Sequence, residues 1–279
     1  MNKSIIKIGV LGLAFISSSL VAQNKQLVKL WETDSVLKVP ESVLIDKEKK
    51  IIYFSNIDGQ PLDKDQKGSI GTCDMDGKNI NNNWVKGISA PKGMAIFQGI
   101  MYVSNIDEVV VIDIASATIK KRIPVVGAIF LNDVTVNSKG IVFVSDSKTE
   151  KIHRIEGDLV TDYINGQPNA NGVLAVGEDL YFLAKGTLWK SSGRNKSLTK
   201  IADGMDPSTD GLEQTKNKDF IVSSWPGIIY YVKADGTKYE LLDSRPEKIN
   251  TADIDFDSEK NILYVPRFFA NKITAYTLK

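Results

Sequence analysis

Five polar residues recur at a spacing that could gather them on one axis. Glu41, Lys92, Asn132, Asn171 and Asp210 lie 51, 40, 39 and 39 residues apart, and each is followed by a small or polar partner: Ser42, Gly93, Asp133, Gly172 and Gly211. If one structural unit repeats at that period, the five side chains occupy equivalent places around a centre. Four of them, one Glu, two Asn and one Asp, are oxygen donors of the kind a hard divalent cation takes, and two carboxylates would offset its charge. Lys92 is the exception in sign: its ammonium would repel a metal or hold a substrate oxygen. A plainer use of the same dipeptides stays open, because Asn-Gly and Asp-Gly are ordinary turn formers that tolerate left-handed backbone.

The elements that would position these residues are written into the chain six times. Each polar dipeptide opens an alternating strand, a turn, and a second apolar strand; Leu131 to Ser147 (LNDVTVNSKGIVFVSDS) is the plainest copy, and a sixth begins at Thr251 (TADIDFDSEKNILYVP). Two weaker strands follow in most units. Turns every 8–10 residues and Val, Ile and Tyr at period two exclude a helical solenoid. A period near 40 with about four strands per unit predicts an all-β six-bladed β-propeller with four-stranded antiparallel blades. The final unit ends after three strands, while residues 26–33 (QLVKLWET) form a strand with no neighbour in sequence. The prediction is that this N-terminal strand closes the last blade and so removes an exposed edge.

Strands in such a blade alternate in direction from the channel outward. The loop entering the first strand and the loop joining the second to the third therefore share one face. That places Glu41, Lys92, Asn132, Asn171 and Asp210 at the inner rim. Around them the second set of loops is expected: an insertion at residues 58–68 in blade one, Lys185 in blade four, Trp225 in blade five, and Arg267 with Phe268-Phe269 in blade six. Lys92, Lys185, Trp225 and Arg267 are candidate substrate contacts on this reading, and the aromatic pair could line a pocket.

Composition bounds the rest. Lys3 and Lys7 precede the apolar run IGVLGLAFI and a Ser-rich stretch ending at Ala22, the pattern of a secretory signal peptide over residues 1–22. Its apolar core is too short to span a bilayer, so a single domain of residues 23–279, periplasmic or extracellular and without a membrane span, is expected. Formal charge is +1 for the whole chain and falls to about −1 without those two lysines, which gives no field for nucleic acid. One cysteine, Cys73, permits no internal disulfide and is expected to be buried and inert. The only histidine, His153, falls in a third strand, so a His-based nucleophilic triad has no base at the rim. Ser145, Ser223 and Ser224 lack a nucleophile-elbow context, and no GxxxxGK phosphate loop is present.

Glu41-Ser42, Asn132-Asp133, Asn171-Gly172 and Asp210-Gly211, in that order and blade placement, resemble the rim residues of the gluconolactonase / senescence-marker-protein (regucalcin) family. The resemblance spans the whole chain after residue 22. It implies a divalent metal, calcium first and magnesium or zinc as substitutes, held by Glu41, Asn171 and Asp210, with Asn132 beside it holding substrate. It implies hydrolysis of a lactone or related ester of a small sugar or organic acid, with Asp210 or Asp133 as general base, in a protein expected to act as a monomer. Two departures stand out: Lys92 occupies the blade-two rim, and Phe130-Leu131 stands where the family has a substrate-gripping Arg. Both leave room for a second expectation, a non-catalytic propeller that binds a protein, peptide or glycan on its loop face.

Overall fold

The computed structural model describes Met1 and residues 24–279; the expected leader therefore lies outside the described residues apart from Met1. The chain forms six four-stranded antiparallel sheets. Their innermost strands are Pro40–Asp46, Pro91–Phe97, Leu131–Val136, Ala170–Val176, Thr209–Gln214 and the short Asp255–Asp257. Five sheets use four strands consecutive in sequence. The sixth orders Asp255–Asp257, Ile262–Pro266 and Ile273–Leu278 outward, and then Leu27–Glu32 from the other end of the chain. Six blades and closure by the N-terminal strand agree with the sequence. Among the described residues no helix is long and apolar enough to cross a membrane.

Apolar side chains pack between neighbouring blades, so each interface is a small core of its own. Met94, Met101 and Val103 of blade two meet Tyr53, Ile70 and Ile88 of blade one, and Leu212, Phe220 and Val222 of blade five meet Leu183 and Leu188 of blade four. The closing strand contributes less than its sequence suggests: Leu27 and Trp31 pack inward, but Leu30 is exposed.

Sheet register shows why the rim dipeptides stand apart from the strands they open. In blades one to five the pairing of first and second strands slips at Pro40/Ser42, Pro91/Met94, Leu131/Val134, Ala170/Val173 and Thr209/Leu212. A bulge of this kind leaves residues unpaired and re-aims their side chains. Glu41, Lys92, Asn132, Asn171 and Asp210 are among those residues. Serine hydroxyls on the second strands complete the device by accepting freed amides: Ser42 N–H donates to Ser55 Oγ (2.9 Å), Asp133 N–H to Ser145 Oγ (3.0 Å) and Gly211 N–H to Ser223 Oγ (2.8 Å). These serines are structural acceptors inside the bulges.

Glycine after the rim residue is a matter of space. A Cβ on Gly172 would lie 2.2 Å from the Asp210 carbonyl oxygen, and one on Gly93 would lie 2.4 Å from Asp133 Oδ1. The next blade's inner strand passes too close for any side chain there.

Candidate active site at the channel mouth

The bulges aim five side chains into one cavity of about 520 Å³, lined by Glu41, Lys92, Asn132, Asn171 and Asp210. Gly59 to Pro61 of the blade-one insertion, Phe130, and Trp225 with Phe268 and Phe269 complete much of its wall. Glu41, Lys92, Asn132 and Asp210 are all buried. The entry loops are held by side chains ending the second strands: Asn105 Oδ1 accepts Ala90 N–H (2.9 Å), while the Asp146 carboxylate accepts Ile129 N–H (2.9 Å) and Phe130 N–H (3.1 Å).

Hydrogen bonding within the cavity is incomplete in an informative way. Asn171 Nδ2 donates to Asp210 Oδ1 at 2.9 Å, which fixes the amide and turns its oxygen the other way. Asn171 Oδ1 and Glu41 Oε2 are then buried without any partner. Burial raises the Glu41 and Asp210 carboxyls well above the usual carboxylate range, and the Asp210 charge adds to the effect on Glu41. Two buried acceptors without donors, one of them an oxygen of Glu41 itself, are costly beside the buried Asp210 carboxyl. The donor set is of the type calcium or magnesium takes. Among the described residues no three His, Cys, Asp or Glu side chains form a metal-holding group; the set here is two carboxylates and an amide.

Lys92 is 1% exposed. Its Nζ donates to the carbonyls of Ala90 (3.1 Å) and Pro61 (3.2 Å) and lies 4.6 Å from the centre of the Phe130 ring. Burial lowers its ammonium to about 8, with the Glu41 charge opposing. The bond to Pro61 ties the blade-one insertion to the rim. Asn132 Nδ2 donates to Ser147 Oγ (3.2 Å), which in turn donates to the Ala170 carbonyl (2.7 Å).

Three expected site residues stand elsewhere. Asp133 shares the bulge with Asn132 but its carboxylate turns to the next blade, accepting Val134 N–H (2.6 Å) and Val173 N–H (2.7 Å). It borders a second, smaller cavity of about 190 Å³ with Glu213, Asp253 and Asp255. Lys185 is exposed in a two-residue turn, with φ of 47°, between the paired Ala184 and Thr187; so short a connection does not reach the cavity lining. Arg267 is buried but also absent from that lining. Trp225 does line the cavity. Phe130 and Pro61 were not singled out as contacts from sequence; the only signal was position, one residue before the blade-three strand and within the insertion. His153 is buried in the third strand of its blade, its Nδ1 3.1 Å from an Asp162 carboxylate oxygen. Cys73 is buried, its thiol pushed up to about 12.

This is a six-bladed propeller with a polar rim, and solved structures share its fold across nearly the whole chain. A gluconolactonase from Xanthomonas campestris superposes with a TM-score of 0.70 at 13% identity, covering 91% of this chain and 89% of that one. A streptogramin B lyase does so with a TM-score of 0.66 at 12% identity, covering 92% and 98%. A virginiamycin B lyase from Staphylococcus aureus, a catalytically inactive histidine-to-alanine variant with quinupristin, gives 0.63 at 14%, covering 92% and 99%. No family model matches the sequence, and no curated protein matches it either. At these identities the likeness is one of fold.

Proposed function

We propose that this protein is a metal-dependent hydrolase of lactones or related esters of a small sugar or organic acid, acting in the cavity at the channel mouth. The observation that carries the reading is the pair of buried, partnerless oxygens, Glu41 Oε2 and Asn171 Oδ1, beside Asp210. Glu41, Asn171 and Asp210 would hold a divalent cation, calcium first because every donor is oxygen. When bound, such an ion supplies a Lewis acid for the carbonyl oxygen and acidifies a coordinated water. Hydrolysis joins the water oxygen to the carbonyl carbon and breaks the acyl C–O bond; the ring oxygen leaves as a hydroxyl, and the carboxylic acid loses its proton to solvent.

The chain's own residues account for the remaining steps. Asp210 would accept a proton from the attacking water; Asp133, the alternative, is engaged by two backbone amides. Asn132, fixed through Ser147, orients the substrate. Lys92 Nζ, with two of its three donors used, offers the third to the developing carboxylate. Both lyase neighbours suggest a competing elimination chemistry. One of them is inactive as a histidine-to-alanine variant, whereas the only histidine of this chain, His153, sits in a third strand outside the cavity lining. A binding-only propeller remains the second reading, favoured by the Lys92 ammonium beside the candidate metal position.

Calcium titration followed by melting temperature tests the proposal. Wild type should gain stability with calcium, Glu41→Gln and Asp210→Asn should gain little, and hydrolysis of simple lactones should follow the same order. A folded protein indifferent to calcium, magnesium and zinc alike would remove the hydrolase reading.

A further inference from the structure

The buried polar groups of the cavity include Glu41, Lys92, Asn132 and Asp210, with Gln60, Lys148, Asn169 and Ser208 as exposed polar lining, and blades five and six add an aromatic cluster to its wall. The Trp225 ring stands 5.7 Å from Phe268 and 6.0 Å from Phe269, near perpendicular to both, and the two phenylalanines are 4.8 Å apart. Phe268 is 8% exposed and anchors the group, while Trp225 is 39% and Phe269 65% exposed. The backbone beneath is fixed: Trp225 N–H donates to the Ser208 carbonyl (2.9 Å), and the Trp225 carbonyl accepts Asn250 Nδ2 (3.0 Å). Two open aromatic rings, one on a backbone fixed at Trp225 and both in contact with the buried Phe268, thus stand on the wall of a cavity that also holds Glu41, Lys92 and Asp210. Ile57 and Pro207 add further apolar lining.

We infer that the ligand is amphipathic: a lactone or ester whose carbonyl end sits among the rim residues and whose aryl or acyl substituent packs on Trp225, Phe268 and Phe269. The carbonyl end rests on the hydrolase reading above; the aromatic ledge is an independent observation. Hydroxyls pressed against the aromatic rings themselves give up water without a partner there. An apolar group gains there by leaving water. Size agrees, since about 520 Å³ falls in the roughly 300–1,000 Å³ range of pockets for drug-sized ligands, and a bare lactone ring leaves much of it unfilled.

Two carboxylates of equal charge separate the ledge from the catalytic question. Calorimetry in calcium buffer compares 3-(2-hydroxyphenyl)propanoate, an aryl hydroxy acid, with gluconate, a polyol acid. The aryl acid should bind about tenfold tighter or more. Phe269→Ala should bring the two affinities together, and Phe269→Leu, which keeps apolar area, should retain most of the preference. Melting temperatures check both variants, and the wild-type ratio decides alone if either is unstable. Equal or tighter gluconate binding, no binding of either acid, or an unchanged ratio in a folded Phe269→Ala would overturn the inference. In parallel, dihydrocoumarin and glucono-δ-lactone are tested as substrates. Aryl preference in binding with hydrolysis of neither lactone leaves the ledge standing and removes the hydrolase reading. Faster turnover of glucono-δ-lactone with tighter gluconate binding does the reverse.

Discussion

Lys92 carries an ammonium into a wall that leaves it almost no solvent, with two carbonyls and the Phe130 face as its surroundings. Burial disfavours the charged form and brings its pKa to about 8. A ligand carboxylate held by that ammonium should bind well at pH 6.5 and progressively worse as the pH rises through about 8. Hydrogen bonds to charged groups contribute about 1.5–3 kcal/mol, so the loss should amount to roughly 10- to 150-fold. Measured with 4-hydroxybutanoate, Lys92→Met should bind weakly at every pH and show no step. A wild-type profile flat from pH 6.5 to 9.5 would mean that Lys92 holds only the blade-one insertion through Pro61. The acids beside it work in the opposite sense. Glu41 and Asp210 sit above their ordinary range, and since ligating carboxylates must be deprotonated, cation affinity should strengthen as the pH rises.

At the scale of the element, the bulge decides where a side chain points, and the glycine after it decides whether the bulge can form against the next blade. Asn171 and Gly172 show both. Gly172 has an ordinary negative φ, so a substitution there is judged by space alone, and that space is occupied by the Asp210 carbonyl. Gly172→Ala must push apart the inner strands of blades four and five, where the Asn171–Asp210 bond is made. Overpacking typically costs about 1–3 kcal/mol, and the strain falls on two candidate ligands. Denaturant unfolding should show that loss, and calcium should recover less stability than in wild type. Gly177→Ala is a poor control because of its positive φ; Gly59→Ala, whose added Cβ approaches nothing closer than 3.6 Å, should behave as wild type in stability.

For the whole molecule the central question is how a ring made from a linear chain stays shut. The ring is shut at two radii, by the N-terminal strand that completes blade six and by bonds from blade six to blade one. On the outside Leu27–Glu32 pairs with Ile273–Leu278, and Trp31 packs toward Tyr264 with ring centres 6.0 Å apart. On the inside Ser42 Oγ donates to Asp253 Oδ2 (2.7 Å), Asp253 N–H to the Glu41 carbonyl (2.9 Å), and Ile45 N–H to Asp255 Oδ2 (2.6 Å). Deleting residues 24–33 removes the outer seam and bares the edge of Ile273–Leu278. Leu27 and Trp31 are half-buried, so the burial lost is a part of the about 1.5–3 kcal/mol each would give if fully buried, added to the loss of the strand's pairing. A markedly lower melting temperature or aggregation is expected, and an unchanged melting curve would show that the inner seam suffices. The inner seam has its own signature in pH. Burial raises Asp255 to about 6, so the folded state holds a proton there that the unfolded chain releases near 4. Stability from this group is complete below about pH 4 and declines as the pH rises to about 6. Asp255→Asn should flatten that decline by about 1–3 kcal/mol, read from urea midpoints at pH 4.5 and 7.

Much of this architecture is local information, and the sequence by itself determined it. Alternating strands, their turns and a period near 40 specify the blade; six copies with an unpaired first strand specify the closed ring. The rim positions Glu41, Lys92, Asn132, Asn171 and Asp210 were legible because the repeat places equivalent residues at equivalent points on the axis. Side-chain direction was not legible. Asn132 and Asp133 are adjacent, yet one lines the mouth and the other hydrogen-bonds into the next blade, a choice made by the bulge and by the amide of Val173, forty residues away. Lys185 and Arg267 sit in the correct loops but outside the lining, because loop membership sets a face of the ring and not a direction within it. Only the tertiary structure could strand Glu41 Oε2 and Asn171 Oδ1 without partners, since a missing hydrogen bond depends on what every surrounding blade fails to supply.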